Sequence, residues 1–441
     1  HRVDRRQRQM CIRDRSKTPF SPHVLNMEHT HEMKMSVILF VDDDKNILDG
    51  LRRRLRSVHP EWQLHFAHDA ESALLKADEI DPDVVISDMR MPGTDGAALL
   101  TIMQEKHPHS ARIILSGFAE EEAILRTVGP AHQYLAKPCD DKMLIETIEN
   151  ALDLRHLLTN PDLRALVGGI DALASPPTTY TNLVKALENP LVGNEQLTAI
   201  VESDIALTAE ILKLTNSAYF AISQKITTIS QAIRMIGIDT LKALALFVGL
   251  FRSFDGPKSA VTQMMQLCKR SQQLGVIATL IAEQEDLPKE VVNVLAAVGM
   301  LSHIGSLILY AYRADEMADV VKRVETEDVP IYVAERDQFG AAHPEIGAYL
   351  LGLWGFPSAM VQTVAYHHRP QKTPHSEMNA LTAIYVAQHL AREIAIEQRT
   401  GTAPESRIDL EYLDQLGKRD RLPVWLETAR LVEQKYREID A

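Results

Sequence analysis

From Ser36 to about Leu157, short runs of β-branched and apolar residues alternate with stretches whose apolar positions recur at helical spacing. The runs are Val37 to Val41, Trp62 to Phe66, Val84 to Ile86, Arg112 to Leu115 and Gln133 to Leu135; the helical stretches begin near Asn46, Ala70, Gly96, Glu120 and Asp141. Five such units in succession predict a doubly wound, five-stranded parallel sheet wrapped by helices. Ligands of such folds collect at the carboxyl ends of the strands, where strand order reverses, so chemistry is expected there. The last helix is expected to run from Asp141 to about Leu158 with no flexible linker after it.

Beyond Arg155 the strand pattern stops, and roughly 240 residues read as amphipathic helices punctuated by Gly and Pro. Thr228 and Gln231 have capping-box spacing ahead of Ile229, Ile233 and Ile236, with Gly237 as the stop. Ile346, Tyr349, Leu350 and Leu353 share one face, closed by Gly355, with Pro357 suited to the first turn of the next helix. The expected fold class is therefore α/β plus all-α: an α/β domain over 36–158, a helical bundle over 165–395, and a linker and helical tail over 396–441. Residues 1–35 are expected to be disordered or artefactual. Met10 to Arg15 reads MCIRDR, a translated sequencing-adapter frame, and carries no apolar period.

Composition narrows the function. A chain of 441 residues has room for two or three domains, and 45 % hydrophobic with 24 % charged residues is ordinary for globular protein. The formal net charge of −13 repels phosphate backbones. Residues 161–395 hold eighteen basic against twenty-four acidic side chains, so the helix-Gly-helix pattern from Ile229 to Leu246 is an unpromising nucleic-acid reader. Cys11, Cys139 and Cys268 have no metal-ligand spacing, which fits a cytoplasmic protein. Val291 to Tyr312 is nearly long and apolar enough to span a bilayer, but Gly299, Ser302, His303, Gly305 and Ser306 interrupt it, and buried helices are expected instead of a membrane segment.

The chemistry concentrates at the predicted strand ends. Asp42, Asp43 and Asp44 close the first strand and Asp88 the third. Carboxylates held this close must share a proton or a cation, and a hard oxygen set suits magnesium. Three consecutive Asp also fit a solvated loop with a helix cap, and Asp44 is read as that cap. Ser116 ends the fourth strand, and Lys137 follows the fifth and precedes Pro138, adding a hydroxyl and an ammonium to the same edge.

This set resembles the response-regulator receiver family, through VDDD at 41–44, SDMRMPGTDG at 87–96, LSG at 115–117 and YLAKP at 134–138. The resemblance implies that Asp88 is the phosphoacceptor, attacking a phosphoryl group donated by a sensor histidine kinase or phosphotransfer protein. It implies Mg2+ held by Asp42, Asp43 and Asp88 with the Arg90 carbonyl, Lys137 and Ser116 on the phosphoryl oxygens, Tyr134 as the switch aromatic, and a cis bond before Pro138. Arg90 and Phe118 stand where they would influence the lifetime of the acyl phosphate.

The helical part resembles the HDOD family over roughly 165–395, through SPPTTY at 175–180, LKLTNSAYF at 212–220, ITTISQAIRMIGIDTLKAL at 226–244, HPEIGAYLLGLWGFP at 343–357 and YHH at 366–368. Related HD phosphohydrolases seat their metal on an adjacent His-Asp doublet. Here Ser302 and His303 occupy that spot, and Arg270 takes the place of an earlier His ligand. The remaining pair, His68-Asp69, lies in the α/β part, with Asp69 read as a cap. His303, His343, His367 and His368 are able to form a zinc site, but without a carboxylate partner they are read as partly buried histidines satisfied by backbone carbonyls. The expected function is a phosphorelay response regulator, a switch and not a turnover enzyme, in which phosphorylation changes binding of an output protein to the HDOD domain, with homodimerisation as a possible route. The alternative is a metal-dependent cyclic-dinucleotide or nucleotide phosphodiesterase.

Overall fold

The computed structural model describes residues 35–117, 130–189, 191–216, 225–238, 241, 252–373 and 375–440. The helix expected near Glu120, Phe118 and the far half of the helix-Gly-helix lie outside them, as do residues 1–34.

The α/β region runs β1 Val37–Val41, α1 Lys45–Val58, β2 Gln63–Ala67, α2 Ala70–Ile80, β3 Val84–Asp88, α3 Gly96–Lys106, β4 Ala111–Gly117, β5 Gln133–Lys137 and α4 Asp141–Asp153. The five strands are all parallel, in the order β2-β1-β3-β4-β5, so strand order reverses between β1 and β3. Alternate residues supply two apolar layers, as a strand's period of two requires. Ile38, Phe40, Ile86 and Ile113 face Leu48, Leu51 and Leu55 of α1 and Leu144 and Ile148 of α4. Leu39, Val41, Val85 and Ile114 face α2 and α3 through Ala73, Ala77, Leu99 and Met103. Asp44, Asp69 and Asp95 start α1, α2 and α3 by accepting from Asn46, Ser72 and Ala98 backbone N–H groups, the orphan donors of a first turn.

The last helix of this region differs from expectation. α4 stops at Asp153, a 3-10 turn covers Leu154–His156, and α5 begins at Pro161. Asn160, held extended by the proline that follows, cannot continue a helix and instead caps α5 with its side-chain Oδ1 while its Nδ2 donates to the Phe339 carbonyl at 2.9 Å.

The helical region continues through α5 Pro161–Gly168, α6 Pro177–Glu188, α7 Asn194–Val201, α8 Ile205–Thr215 and α9 Ile229–Ile236, with β6 Ala174–Ser175 paired to β7 Arg252–Ser253. Then come α10 Lys258–Gln284, α11 Lys289–Leu301, α12 Ile304–Tyr312, α13 Ala314–Glu327, α14 Ile331–Phe339, α15 His343–Leu353, α16 Ser358–Tyr366 and α17 Ala380–Thr400. α18 Leu410–Gln415 and α19 Leu422–Asp440 close the chain described. Thr228 caps α9 through its hydroxyl and Gly237, at φ +77°, ends it. Pro357 is the N-cap of α16, one position before the first turn.

The apolar stretch Lys289–Tyr312 is two helices, broken at Ser302 and His303, and 67 % of its most apolar 18 residues are buried inside the protein. The segment beyond 395 is no loose tail. α17 runs on to Thr400, where Gly401 at φ +74° stops it, and α19 packs on α10 and α17 through fully buried Trp425 and Ala429. The Glu285 carboxylate ties this packing down, accepting from Lys418, Arg421 and the Trp425 indole at 2.6, 2.6 and 3.0 Å.

Candidate functional site

The carboxyl edge of the sheet gathers the strand-end residues. Sheet register sets Val41 beside Ser87, Asp88 beside Leu115, and Gly117 beside Lys137, so Asp42, Asp88, Ser116 and Lys137 fall on neighbouring strands at one end. The three consecutive Asp diverge in role. Asp42 is buried, its Oδ1 accepting from the Asp44 N–H at 2.9 Å; Asp43 is exposed at the rim; Asp44 caps α1.

Lys137 Nζ lies 3.1 Å from Asp42 Oδ2 and makes a direct ion pair with Asp88 Oδ1. Burial pushes the Asp88 carboxyl up, with Asp42 acting the same way, while Lys137 opposes both. Burial alone would lower Lys137, but its bonds to Asp88 and Asp42 outweigh that and raise it. One ammonium thus serves two largely enclosed carboxylates, with a third carboxylate at the rim, and this excess of hard anionic oxygen fits a small divalent cation such as Mg2+.

Ser116 is 2 % exposed on β4, and Tyr134 is buried on β5 in the layer that holds Met89, Leu99 and Ile114. Arg90 is exposed one residue past Met89, and the Lys137–Pro138 bond is cis.

The opposite ends of β4 and β5 grip the helical region. Fully buried Arg112, at the start of β4, donates to the carbonyls of Pro130 at 2.6 Å and Gly168 at 2.7 Å. His132 Nδ1 accepts from the Arg112 N–H, which leaves Nε2–H to donate to the same Gly168 carbonyl at 2.9 Å. Burial and the adjacent guanidinium hold His132 neutral, far below its usual range. Gly168 is required here, because a Cβ would sit 2.2 Å from the Pro108 carbonyl oxygen. Around this grip, Gln104 donates to the Gly169 carbonyl at 2.8 Å and Arg155 pairs with buried Asp83 at 2.7 Å.

Comparison with known proteins decides the family. The model of the response regulator receiver domain matches residues 38–149, and that of the HDOD domain matches residues 173–370. The chain carries a receiver domain followed by an HDOD domain. An uncharacterized protein of Treponema pallidum is 24 % identical over 223 residues, 51 % of this chain and 43 % of that protein. The hydrogenase transcriptional regulatory protein HoxA of Cupriavidus necator is 30 % identical over 36 % of this chain and 35 % of its own length. The DNA-binding transcriptional regulator NtrC of Escherichia coli is 33 % identical over 27 % of this chain and 25 % of its own. The chain thus spans less than half the length of these relatives. Among solved structures, the MmoQ response regulator of Methylococcus capsulatus is 19 % identical at a TM-score of 0.40, covering 53 % of this chain and 95 % of that one. An HDOD domain protein of Geobacter sulfurreducens is 22 % identical at a TM-score of 0.34, covering 64 % and 96 %.

Within the HDOD domain the structure departs from the expected histidines. His303, His343, His367 and His368 meet in one cluster, and only His367 is satisfied by a backbone carbonyl, donating Nδ1–H to Val364 at 2.7 Å. His343 does have a carboxylate partner: its Nδ1 is 2.6 Å from Glu335 Oε2, which also accepts the His343 backbone N–H at 2.9 Å. His303 Nδ1 lies 2.9 Å from Ser271 Oγ, and Gln388 Nε2 donates to His368 Nδ1 at 2.8 Å. Packing around the ring, then His343 and Arg270, pull His303 down to about 3, so it is neutral. Ser302, in place of the doublet's His, turns its hydroxyl back to the Val298 carbonyl, and Asp69 caps α2 as expected. Sequence reading missed Glu335, Ser271 and Gln388 here, and Arg112 and His132 at the domain contact. Each is an ordinary polar residue until the fold supplies its partner.

Proposed function

We propose that this protein is a cytoplasmic phosphorelay response regulator in which phosphorylation of Asp88 alters the hold of the receiver on the HDOD domain and so the binding of an output protein. Asp88 is the nucleophile: one carboxylate oxygen attacks phosphorus on the phosphorylated imidazole of a histidine kinase or phosphotransfer protein, the P–N bond breaks, and an acyl phosphate forms. Asp42, Asp43 and Asp88, with the Arg90 carbonyl, are the residues to hold Mg2+. Bound there, it spreads the charge of the transferring oxygens, the main demand of phosphoryl transfer. Lys137, already paired with Asp88, moves to a phosphoryl oxygen, and Ser116 donates to another. Tyr134 packs according to where Ser116 stands.

The observation that carries this reading is that β4 and β5 bear Ser116 and Lys137 at one end and Arg112 and His132 at the other. Arg112 and Ser116 are separated by about 13 Å of one strand, a rigid element able to move both ends together. The HDOD domain acts in this reading as a binding module, with receiver dimerisation as one route to its partner.

The test is amide exchange on the full chain with Mg2+, with and without beryllofluoride as the phosphoryl mimic. Exchange at residues 161–168 should change on adding the mimic and stay constant in Asp88→Asn. If those residues exchange identically while Ser116 and Lys137 peptides respond, phosphorylation does not reach the domain contact and the reading fails.

A further inference from the structure

Where α12, α15 and α16 meet, three imidazoles turn toward one point, far in sequence from the receiver's carboxylates. A ring nitrogen of each of His303, His343 and His367 lies within 4.8 Å of those of the other two. His343 and His367 are fully buried, and His303 is partly exposed at the break between α11 and α12. Close backbone approach builds the point: Gly305, two residues past His303, packs so tightly on His343 that a Cβ would fall 2.1 Å from its carbonyl oxygen.

Hydrogen bonds to the far nitrogens fix the tautomers. Glu335 takes His343 Nδ1–H and the Val364 carbonyl takes His367 Nδ1–H, so both Nε2 atoms present lone pairs. Those two Nε2 atoms face each other at 3.3 Å. Two acceptors at that separation repel; His368 Nε2–H, 3.1 Å from His343 Nε2, serves only the His343 nitrogen, whereas a shared cation serves both. Bonds of 2.0–2.1 Å from tetrahedral zinc to imidazole give neighbouring nitrogens a separation of about 3.3 Å. In the tautomer that donates Nδ1–H to Ser271 Oγ, His303 keeps its Nε2 lone pair for a ligand.

The outer groups match. A carboxylate on the far nitrogen of a metal-ligating His orients the ring and strengthens it as a donor. Glu335 is fully buried and accepts from Ser306 as well as from His343, so it also supplies negative charge to a buried cation. Arg270 acts on His303 in the opposite sense, from the residue next to Ser271. His368 differs from the other three. Gln388 Nε2 donates to both its Nδ1 and the His367 carbonyl, which leaves His368 with Nε2–H, donating at 3.1 Å to the His343 Nε2 lone pair, a bond that a metal on His343 displaces.

We infer that the HDOD domain binds one zinc ion through His303, His343 and His367, with Glu335 orienting His343, and with His368 Nε2–H, released from His343 Nε2 by the ion, turning to a water or anion in the fourth position. Neutral nitrogen donors favour zinc over magnesium or calcium. The ion ties the α11–α12 junction to the ends of α15 and α16. The inference does not depend on the receiver reading, whose hard oxygen site selects a different ion.

The test uses untagged full-length protein expressed with added zinc and purified without chelator. Elemental analysis should find close to one zinc per chain, unchanged in Asp42→Asn/Asp88→Asn and absent in His343→Gln/His367→Gln. Cobalt replacing zinc should give the strong visible bands of a tetrahedral site. Because the double variant can misfold, Glu335→Gln provides a second arm: folded by circular dichroism, it should lose zinc to a chromophoric chelator 10–100-fold more readily. Under a tenth of an equivalent of zinc together with no tetrahedral cobalt bands in the wild-type chain overturns the inference, as does full zinc occupancy retained in the double histidine variant.

Discussion

At Lys137 a single ammonium answers Asp42 and Asp88 together, and both consequences are measurable. Removing it leaves two carboxylates whose repulsion only a cation relieves. Lys137→Met should therefore bind Mg2+ roughly tenfold more tightly, a conservative fraction of the interaction of charges this close at an effective dielectric near 20. Titration calorimetry reads this directly, and unchanged or weaker binding would separate Lys137 from the cation site. A second residue carries a pH signature. Asp204 caps α8 by accepting from Leu207 N–H at 3.0 Å, and its Oδ1 lies 3.2 Å from Ser175 Oγ, while buried Oδ2 has no hydrogen-bond partner. Burial, against the pull of those bonds, raises its carboxyl from 3.8 to about 6. A raised acid favours the folded state in its protonated form, so its contribution is full below pH 3.8 and is lost as pH rises through 6, by at most about 3 kcal/mol. Between pH 4 and 7 the wild type should lose more stability to urea than Asp204→Asn does, and parallel profiles would contradict the assignment. Asp88, Asp42, Ser116 and Lys137 were legible because each stands at a strand end, where position alone implies proximity. Glu335 and His132 were not, because their roles come from burial beside residues that sequence separation does not reveal.

β4 is the element on which the switch reading rests. Its interior, Ile113 to Leu115, is fixed by both apolar layers, so a shift at Ser116 has little room to dissipate before Arg112. Arg112→Met keeps roughly the volume of the side chain but strands the Pro130 carbonyl and leaves the Gly168 carbonyl to His132 alone, and an uncompensated buried acceptor costs about 1–3 kcal/mol. The variant should lose that stability and lose exchange protection over 161–168, while acetyl phosphate still labels Asp88 at the wild-type rate. Slowed labelling would show that Arg112 supports the phosphoacceptor edge itself. The elements around it follow local rules, which is why most were readable. Continuous apolar runs gave five strands to within a residue or two, and Asp44, Asp69 and Thr228 marked helix starts by capping chemistry. The end of α4 was misread by several residues. Its periodicity continues through Leu154 and Leu158, but those leucines are buried in the apolar core shared with the HDOD domain, Leu154 filling the space over Gly352, and not along a continuing helix.

Across the whole molecule, one apolar core runs from Ile38 and Ile113 of the sheet through Leu154, Leu158 and Leu163 into the α15 and α17 helices. Receiver and HDOD domain therefore share buried surface along with the polar grip at Gly168, and a ligand of the receiver should stabilise both. The three tryptophans allow this to be read, since Trp62 lies in the receiver, Trp354 in the HDOD domain and Trp425 on α19, which packs on α10 and α17. In Trp62→Phe, fluorescence reports the helical region alone, the HDOD domain with α19 packed on it. Mg2+ with beryllofluoride at a hundredfold excess over its Kd stabilises the form that binds it by about 2.7 kcal/mol. If the domains unfold as one unit, that fluorescence transition moves to higher urea by the full amount, and Asp88→Asn abolishes the move. If it stays in place while receiver circular dichroism shifts, the shared core is too weak to couple the domains. Any signal from Asp88 would then have to leave by a receiver face that does not touch the HDOD domain.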